Sequence, residues 1–145
     1  MSKQVIESFS PEDTFAFGVE LGKKCKPGDI LTLHGDLGVG KTLFSEGLGK
    51  GLAIDEPISS PTFTVVQVYD SGRLPFYHFD VYRIADLEEM DEIGYEDYFY
   101  GDGVCLIEWA EQIEELLPEN VIAITIEKDL EKGFDYRRIT LEETK

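Results

Sequence analysis

Apolar and polar residues alternate or recur at helical spacing along most of the chain, and these patterns predict short strands and helices. Residues 4–9 alternate between apolar and polar positions, which predicts a strand. A helix should follow, because Ser10 can cap it, Pro11 suits its first position and acidic residues come next. We expect this helix to end before the Pro27-Gly28 pair.

The next part of the chain contains a buried strand, a glycine-rich loop and a hairpin. Residues 29–34 predict a buried strand that leads into the glycines, and a helix is expected over residues 41–52. A polar segment with a proline, residues 59–64, predicts a loop. Residues 65–69 and 75–80 alternate on either side of a turn-forming tetrapeptide, which predicts a β-hairpin.

The remaining pattern predicts short helices and three more strands. Residues 84–100 are mostly acidic with isolated apolar anchors, which favours short helices. Residues 104–107 form a continuous apolar run, typical of a strand that is buried on both faces. A short helix is predicted over residues 111–117, and strands over residues 121–127 and 136–141. Strands and helices that alternate in this way predict an α/β protein with a mixed sheet.

Composition and charge limit the classes of function. The chain has 145 residues with 42% hydrophobic content, which suits one globular domain. No apolar run approaches the length of a membrane span, and the first residues lack the apolar stretch of a secretion signal. The two cysteines lie far apart, so we expect a cytoplasmic protein with structural thiols and no zinc site.

The net charge of −17 disfavours extensive direct contact with the phosphates of RNA or DNA. Solubility is the ordinary explanation of such a surface, a basic protein partner is the less common one, and composition does not decide between the two.

The glycine-rich segment of residues 35–42 has the pattern Gly-x4-Gly-Lys-Thr, with a buried strand before it and a helix after it. Its backbone N–H groups and the start of the helix can surround the phosphates of a nucleoside triphosphate. Lys41 is then placed to reach the β- and γ-phosphates, and the Thr42 hydroxyl to bind magnesium. We therefore predict a P-loop NTPase-like three-layer α/β fold in a single domain spanning residues 1–145.

Two acidic residues are candidates for the magnesium-associated carboxylates. Glu108 follows the buried run of residues 104–107, at the strand end where ligands bind in open α/β sheets. Asp80 ends the second strand of the hairpin and can reach the same edge. Thr62 and Thr64 lie in a polar loop of the kind that closes on the γ-phosphate in NTPases, although either can equally be an ordinary loop residue.

Three further residues with functional side chains are expected to be structural. Trp109 is the only tryptophan, and a lone tryptophan is more often part of the core than of a site. His34 and His78 have no serine or cysteine arrangement that would indicate nucleophilic catalysis.

Four ordered motifs resemble the TsaE (YjeE) family over nearly the whole chain. They are Gly-Asp-Leu-Gly-Val-Gly-Lys-Thr (35–42), Ser-Pro-Thr-Phe-Thr (60–64), Phe-Asp-Val-Tyr-Arg (79–83) and Leu-Ile-Glu-Trp (106–109). The resemblance implies a bacterial Mg²⁺-dependent ATPase needed for threonylcarbamoylation of adenosine 37 in tRNA. The resemblance implies that such a protein does not attach the group itself but associates with the TsaD and TsaB proteins, reaches tRNA through that complex, and supports its repeated turnover by ATP hydrolysis. TsaC or its relative supplies the threonylcarbamoyl-adenylate. Many relatives have proline where this chain has Ala110, which should alter only the following turn.

The resemblance also implies roles for individual residues. Lys41 matches the phosphate-binding lysine, and Thr42 and Glu108 match magnesium-associated positions. Asp80 matches a residue important for hydrolysis, and it is a further candidate for binding the metal. Thr14 lies where the family holds the nucleotide base, and a C-terminal loop borders the nucleotide. The full set implied to bind ATP is Thr14, Gly35, Gly38, Val39, Gly40, Lys41, Thr42, Leu43, Thr62, Thr64, Gly133 and Arg137.

Two other functions remain open from the residues alone. A small-molecule kinase would use the same loop, but such enzymes usually add an arginine-rich lid, and this chain has four arginines and no spare segment for an acceptor domain. A nucleotide-gated binding module with negligible hydrolysis is the other alternative. A guanine-specific switch is disfavoured because its Asn-Lys-x-Asp sequence is absent. No arginine or glutamine is clearly placed to stabilise the transition state, so we expect slow hydrolysis that a partner accelerates.

Overall fold

The computed structural model describes residues 2–36, 38–59, 61 and 64–144, and most of them surround one seven-stranded sheet. The strands are β1 (Ser2–Ser8), β2 (Ile30–His34), β3 (Val66–Tyr69), β4 (Phe76–Asp80), β5 (Val104–Glu108), β6 (Ile122–Lys128) and β7 (Arg137–Glu143). The helices are α1 (Pro11–Lys24), α2 (Lys41–Gly51), α3 (Glu88–Glu92) and α4 (Tyr95–Phe99), with 3₁₀ helices at Ala110–Leu116 and Leu130–Lys132.

The sheet is mixed, as the sequence predicts, and its strand order is β1-β7-β6-β2-β5-β4-β3. The four central strands β6, β2, β5 and β4 are parallel to one another. Strands β1, β7 and β3 are antiparallel to their neighbours at the two sides. The carboxyl ends of β2, β4 and β5 therefore meet at one edge of the sheet, which is where the glycine-rich loop, Asp80 and Glu108 emerge.

Helices cover both faces of the sheet and complete three layers. On one face, α1 and α2 pack on side chains such as Leu31, Leu33 and Leu106. On the other face, α3, α4 and the 3₁₀ helix Ala110–Leu116 pack on Cys105 and Ile107. Alternate residues of β5 thus enter different cores, and all five are buried, which confirms the prediction of a strand covered on both faces.

The first helix begins and packs as its sequence requires. The Ser10 hydroxyl accepts a hydrogen bond from the Asp13 backbone N–H at 3.1 Å, which confirms the predicted cap. Glycines bring the backbones of α1 and α2 close together: a Cβ atom at Gly18 would lie 2.5 Å from the Phe44 carbonyl oxygen. The glycine-rich loop at the start of α2 is consequently held against a rigid pair of helices.

The predicted hairpin is confirmed, and β3 pairs with β4 in antiparallel register. The predicted helix of residues 111–117 is instead a 3₁₀ helix that begins at Ala110 and is kinked at Ile113. It follows Trp109, whose φ of +65° places that residue in the left-handed region and turns the chain sharply after β5. Within the described residues, no helix is long and apolar enough to cross a membrane.

Candidate nucleotide-binding site

The glycine-rich loop connects β2 to α2 at the carboxyl edge of the parallel strands. Gly35 has a φ of +152°, and a Cβ atom there would lie 2.7 Å from the Ile126 carbonyl oxygen, so a side chain is excluded. Gly40 has a φ of +109° and immediately precedes α2, where no side chain caps the helix. The first N–H groups of α2 and its positive end are therefore available to an anion.

A cleft of about 860 Å³ lies in front of this loop. Predicted site residues that line the cleft are Gly35, Gly38, Gly40, Lys41, Thr42, Leu43, Asp80 and Glu108. Residues that the sequence did not single out for the site, Asp36, Glu46, Trp109 and Glu111, line it as well. The fold thus brings the loop and both predicted carboxylates to one cleft, although they come from three separate elements.

Glu108 lies at the centre of a chain of polar contacts beneath the cleft. The Lys41 ammonium is 3.9 Å from Glu108 Oε1, and the two side chains are only 16% and 8% exposed. His78 Nε2 is 2.8 Å from Glu108 Oε2. The Lys41 ammonium also lies 5.5 Å from the centre of the Trp109 ring, within range of a cation–π contact. Burying a carboxylate is costly unless it is paired and hydrogen-bonded, and these contacts provide such partners.

Asp80 is directly opposite Glu108 in the parallel register of β4 and β5. One of its carboxylate oxygens accepts a hydrogen bond from the Tyr82 backbone N–H at 3.1 Å. Its own backbone N–H donates to the Val65 carbonyl oxygen at 2.8 Å. Val65 has a φ of +67°, a strained conformation for a β-branched residue, so the chain turns sharply at Val65 just before β3.

Thr64 of the polar loop does not line the cleft as the described residues form it. Thr64 is exposed, and its carbonyl oxygen accepts a hydrogen bond from the Val66 backbone N–H at 2.7 Å. Thr62 lies outside the described residues. The roles of both threonines therefore stay predictions.

A second, smaller cavity of about 100 Å³ lies beside the loop, next to α1 and β7. Thr14 and Arg137 line it together with residues 38–40 of the loop, and their role at the nucleotide base stays a prediction. The Thr14 hydroxyl, however, is only 2.7 Å from the Ser8 hydroxyl and is buried. Gly133 does not line either cavity, and its φ of +127° marks the turn between β6 and β7.

Arg137 connects β7 to the glycine-rich loop. Its Nε donates a hydrogen bond to the Val39 carbonyl oxygen at 2.8 Å. Its Nη1 donates to the carbonyl oxygens of Phe134 at 3.0 Å and Tyr136 at 2.7 Å. These bonds give Arg137 a direct role in holding the loop, in addition to its position at the small cavity.

The side chains at the cleft suit a hard cation that is shared with phosphates. Thr42 offers a hydroxyl, and Asp80 and Glu108 offer carboxylates, all lining the same space. Among the described residues, no group of three or more His, Cys, Asp or Glu side chains could hold a metal ion by itself. One or two carboxylates completed by substrate phosphates and water is the arrangement that Mg²⁺ prefers.

Two residues expected to be structural lie at the site instead. Trp109 lines the cleft and is 41% exposed, and His78 contacts Glu108 from the core side. The alternation of β4 was the available signal for His78, because residues two apart on a strand share a face and Asp80 is two residues further on. The left-handed turn that exposes Trp109 has no comparable signal in the sequence.

A parallel strand, a glycine-rich loop, a helix and two carboxylates on neighbouring strands together define a P-loop NTPase-like α/β protein. A family model described as "Threonylcarbamoyl adenosine biosynthesis protein TsaE" matches residues 8–139. The chain therefore belongs to the TsaE family, which confirms the resemblance found in its motifs.

Individual relatives agree with this assignment. A "tRNA threonylcarbamoyladenosine biosynthesis protein TsaE" from Bacillus subtilis is 48% identical over 131 residues, covering 90% of this chain and 80% of the relative. A protein of the same name from Treponema pallidum is 46% identical over 119 residues, covering 82% and 87%. The crystal structure of Bacillus subtilis YdiB matches with a TM-score of 0.80 and 40% identity, over 99% of this chain and 87% of that one.

Proposed function

We propose that this chain is the ATP-hydrolysing subunit that supports threonylcarbamoylation of adenosine 37 in tRNA, together with the TsaB and TsaD proteins. Membership of a threonylcarbamoyl adenosine biosynthesis family supports the pathway. The observation that carries the ATPase role is the meeting of Lys41 and Glu108, 3.9 Å apart, at the end of a glycine-rich loop. We propose the cytoplasm as its location, and a single domain of residues 1–145 as the working unit.

The geometry supports a separate role for each residue in binding and hydrolysing the triphosphate. The N–H groups of the loop and the Lys41 ammonium bind the phosphates, where they compensate negative charge. Thr42 and Glu108 hold magnesium, with Asp80 as a further candidate. Bound magnesium would neutralise charge that develops on the phosphate oxygens. Asp80, at the end of the strand next to that of Glu108, supports attack by water. The small cavity lined by Thr14 and Arg137 accepts the base of the nucleotide.

Water is the proposed acceptor of the phosphoryl group because the described residues form no second substrate domain beside the cleft. The described arginines do not line the cleft, so none is placed to stabilise the transition state from that side. A partner protein can supply such a group, which gives slow turnover alone and faster turnover in the complex.

The deciding experiment measures phosphate release from Mg·ATP by the isolated chain and by the chain mixed with TsaB and TsaD. We expect slow release alone and a clear increase with the partners. Rapid turnover that the partners leave unchanged would contradict the activation, and transfer of labelled phosphate to a metabolite would instead favour the kinase alternative. The Lys41→Ala variant serves as the control for contaminating ATPases.

A further inference from the structure

His78 is the one described residue with a buried side-chain nitrogen or oxygen that lacks a hydrogen-bond partner. The side chain is 1% exposed on β4, and the ring lies against Phe76 with the ring centres 5.9 Å apart. Its Nδ1 atom faces this core without a partner, while its Nε2 atom is 2.8 Å from Glu108 Oε2. Buried polar atoms are nearly always paired, so the orientation of this ring requires an explanation.

The hydrogen-bond pattern determines which ring nitrogen carries the hydrogen. A glutamate carboxylate only accepts hydrogen bonds, so Nε2 must be the donor to Glu108. A hydrogen on Nδ1 would be a buried donor without an acceptor, which costs the desolvation free energy of that group. The geometry therefore directs the Nε2–H group of His78 at Glu108 Oε2.

The bond from His78 distinguishes the two oxygens of the Glu108 carboxylate. Oε2 is committed to His78 on the core side, and Oε1 faces Lys41 at 3.9 Å on the cleft side. Without His78, both oxygens could turn toward the Lys41 ammonium, which would draw the lysine away from phosphates and the carboxylate away from a cation. A buried hydrogen-bond donor behind a metal-binding carboxylate commonly orients it.

We propose that His78 is a positioning residue that holds Glu108 Oε2, so that Oε1 faces the cleft for Lys41 and a nucleotide-bound divalent cation. This role rests on the proposed nucleotide function of the cleft. Because Trp109 lines the cleft and contacts Lys41, its fluorescence can report binding at the same site.

The test compares the affinity for adenylyl imidodiphosphate, a non-hydrolysable ATP analogue, with and without Mg²⁺. Substitution His78→Asn, whose amide is too short to reach Glu108, should reduce the gain in affinity due to Mg²⁺ by about 10- to 100-fold. Substitution His78→Gln places an N–H close to the position of Nε2 and should retain most of the gain. Phe99→Leu, a core change in α4 away from the cleft, is the control for lost stability.

The outcomes separate this proposal from the proposed function. If the unmodified chain shows no Mg²⁺-dependent binding, the proposed function fails; if it binds and the Asn and Gln variants behave alike, only the role of His78 fails. The unmodified protein gives a second measurement, because the chain has only two histidines and His34→Asn assigns their imidazole ¹⁵N signals. A hydrogen on Nε2 of His78 supports the proposal, and an Nε2 without one overturns it.

Discussion

At the residue scale, the site depends on a few buried or half-buried charges that partner one another. The Lys41 ammonium contacts both the Glu108 carboxylate and the Trp109 ring, so the side chain is already positioned in the absence of a ligand. Preorganised charges of this kind bind phosphates without a large cost in side-chain entropy.

Substitution Lys41→Ala should weaken ATP binding by about tenfold or more, because it removes charge-assisted hydrogen bonds worth about 1.5–3 kcal/mol. Titration calorimetry of the folded variant measures this change. Lys50→Ala, at the exposed last turn of the same helix, is the matched control and should bind ATP normally. Unimpaired binding by Lys41→Ala would mean that the loop does not hold the phosphates.

Substitution Glu108→Gln should lower Mg²⁺-dependent hydrolysis about 100-fold or more while the fold survives, because the loss of one electrostatic group at a transition state has an effect of this order. The glutamine carbonyl oxygen can still accept the hydrogen bond from His78, so the core side remains satisfied. Phosphate release and a thermal melt measure both effects. Glu114→Gln, an exposed change in the following 3₁₀ helix, should leave the rate as it is. An equal rate in Glu108→Gln would show that this carboxylate was assigned wrongly.

At the scale of secondary-structure elements, the glycine-rich loop is braced from two sides. Close packing of α1 on α2 fixes the helix that follows the loop, and β7 reaches it through Arg137. The loop conformation therefore depends on elements that are distant in sequence.

Substitution Arg137→Lys should weaken ATP binding several-fold, because a lysine cannot reproduce the planar set of bonds to Val39, Phe134 and Tyr136. Arg138→Lys is the matched control, because Arg138 is the next residue along β7 and its side chain pairs with Glu127 and Asp129 instead of contacting the loop. Affinity for ATP measured by calorimetry distinguishes the two. Equal affinities would exclude a role for Arg137 at the loop.

At the scale of the whole molecule, the buried core protects both thiols. Burial raises the pKa of Cys25 and of Cys105 to about 12, so the neutral thiol is the native form at physiological pH. A raised pKa contributes stability below the ordinary value near 9, and this contribution is lost as the pH rises from there toward 12.

Native protein at pH 8 should therefore react slowly with a disulfide reagent such as DTNB, and both thiols should react at once after unfolding in guanidinium. Absorbance of the released thiolate follows the reaction. Fast reaction of the native protein, at the rate of a free peptide cysteine, would mean that these thiols are reached without unfolding.

The sequence alone determined the order of strands and helices, the glycine-rich loop and the candidate carboxylates. Periodicity, turn residues and the spacing of glycines are local properties, because each depends only on residues that are close together in the sequence. The sequence also indicated that Asp80 can reach the same sheet edge as Glu108, whereas the register that sets the two residues opposite each other came from the structure.

Only the tertiary structure decided which side chains complete the site. The bond from His78 to Glu108, the bond from Arg137 to Val39 and the contact of Trp109 with Lys41 join residues that are 30, 98 and 68 positions apart. Such contacts depend on sheet order, on the left-handed turn at Trp109 and on packing between layers. No local sequence pattern predicts these contacts, because they form only when the layers of the folded protein pack together.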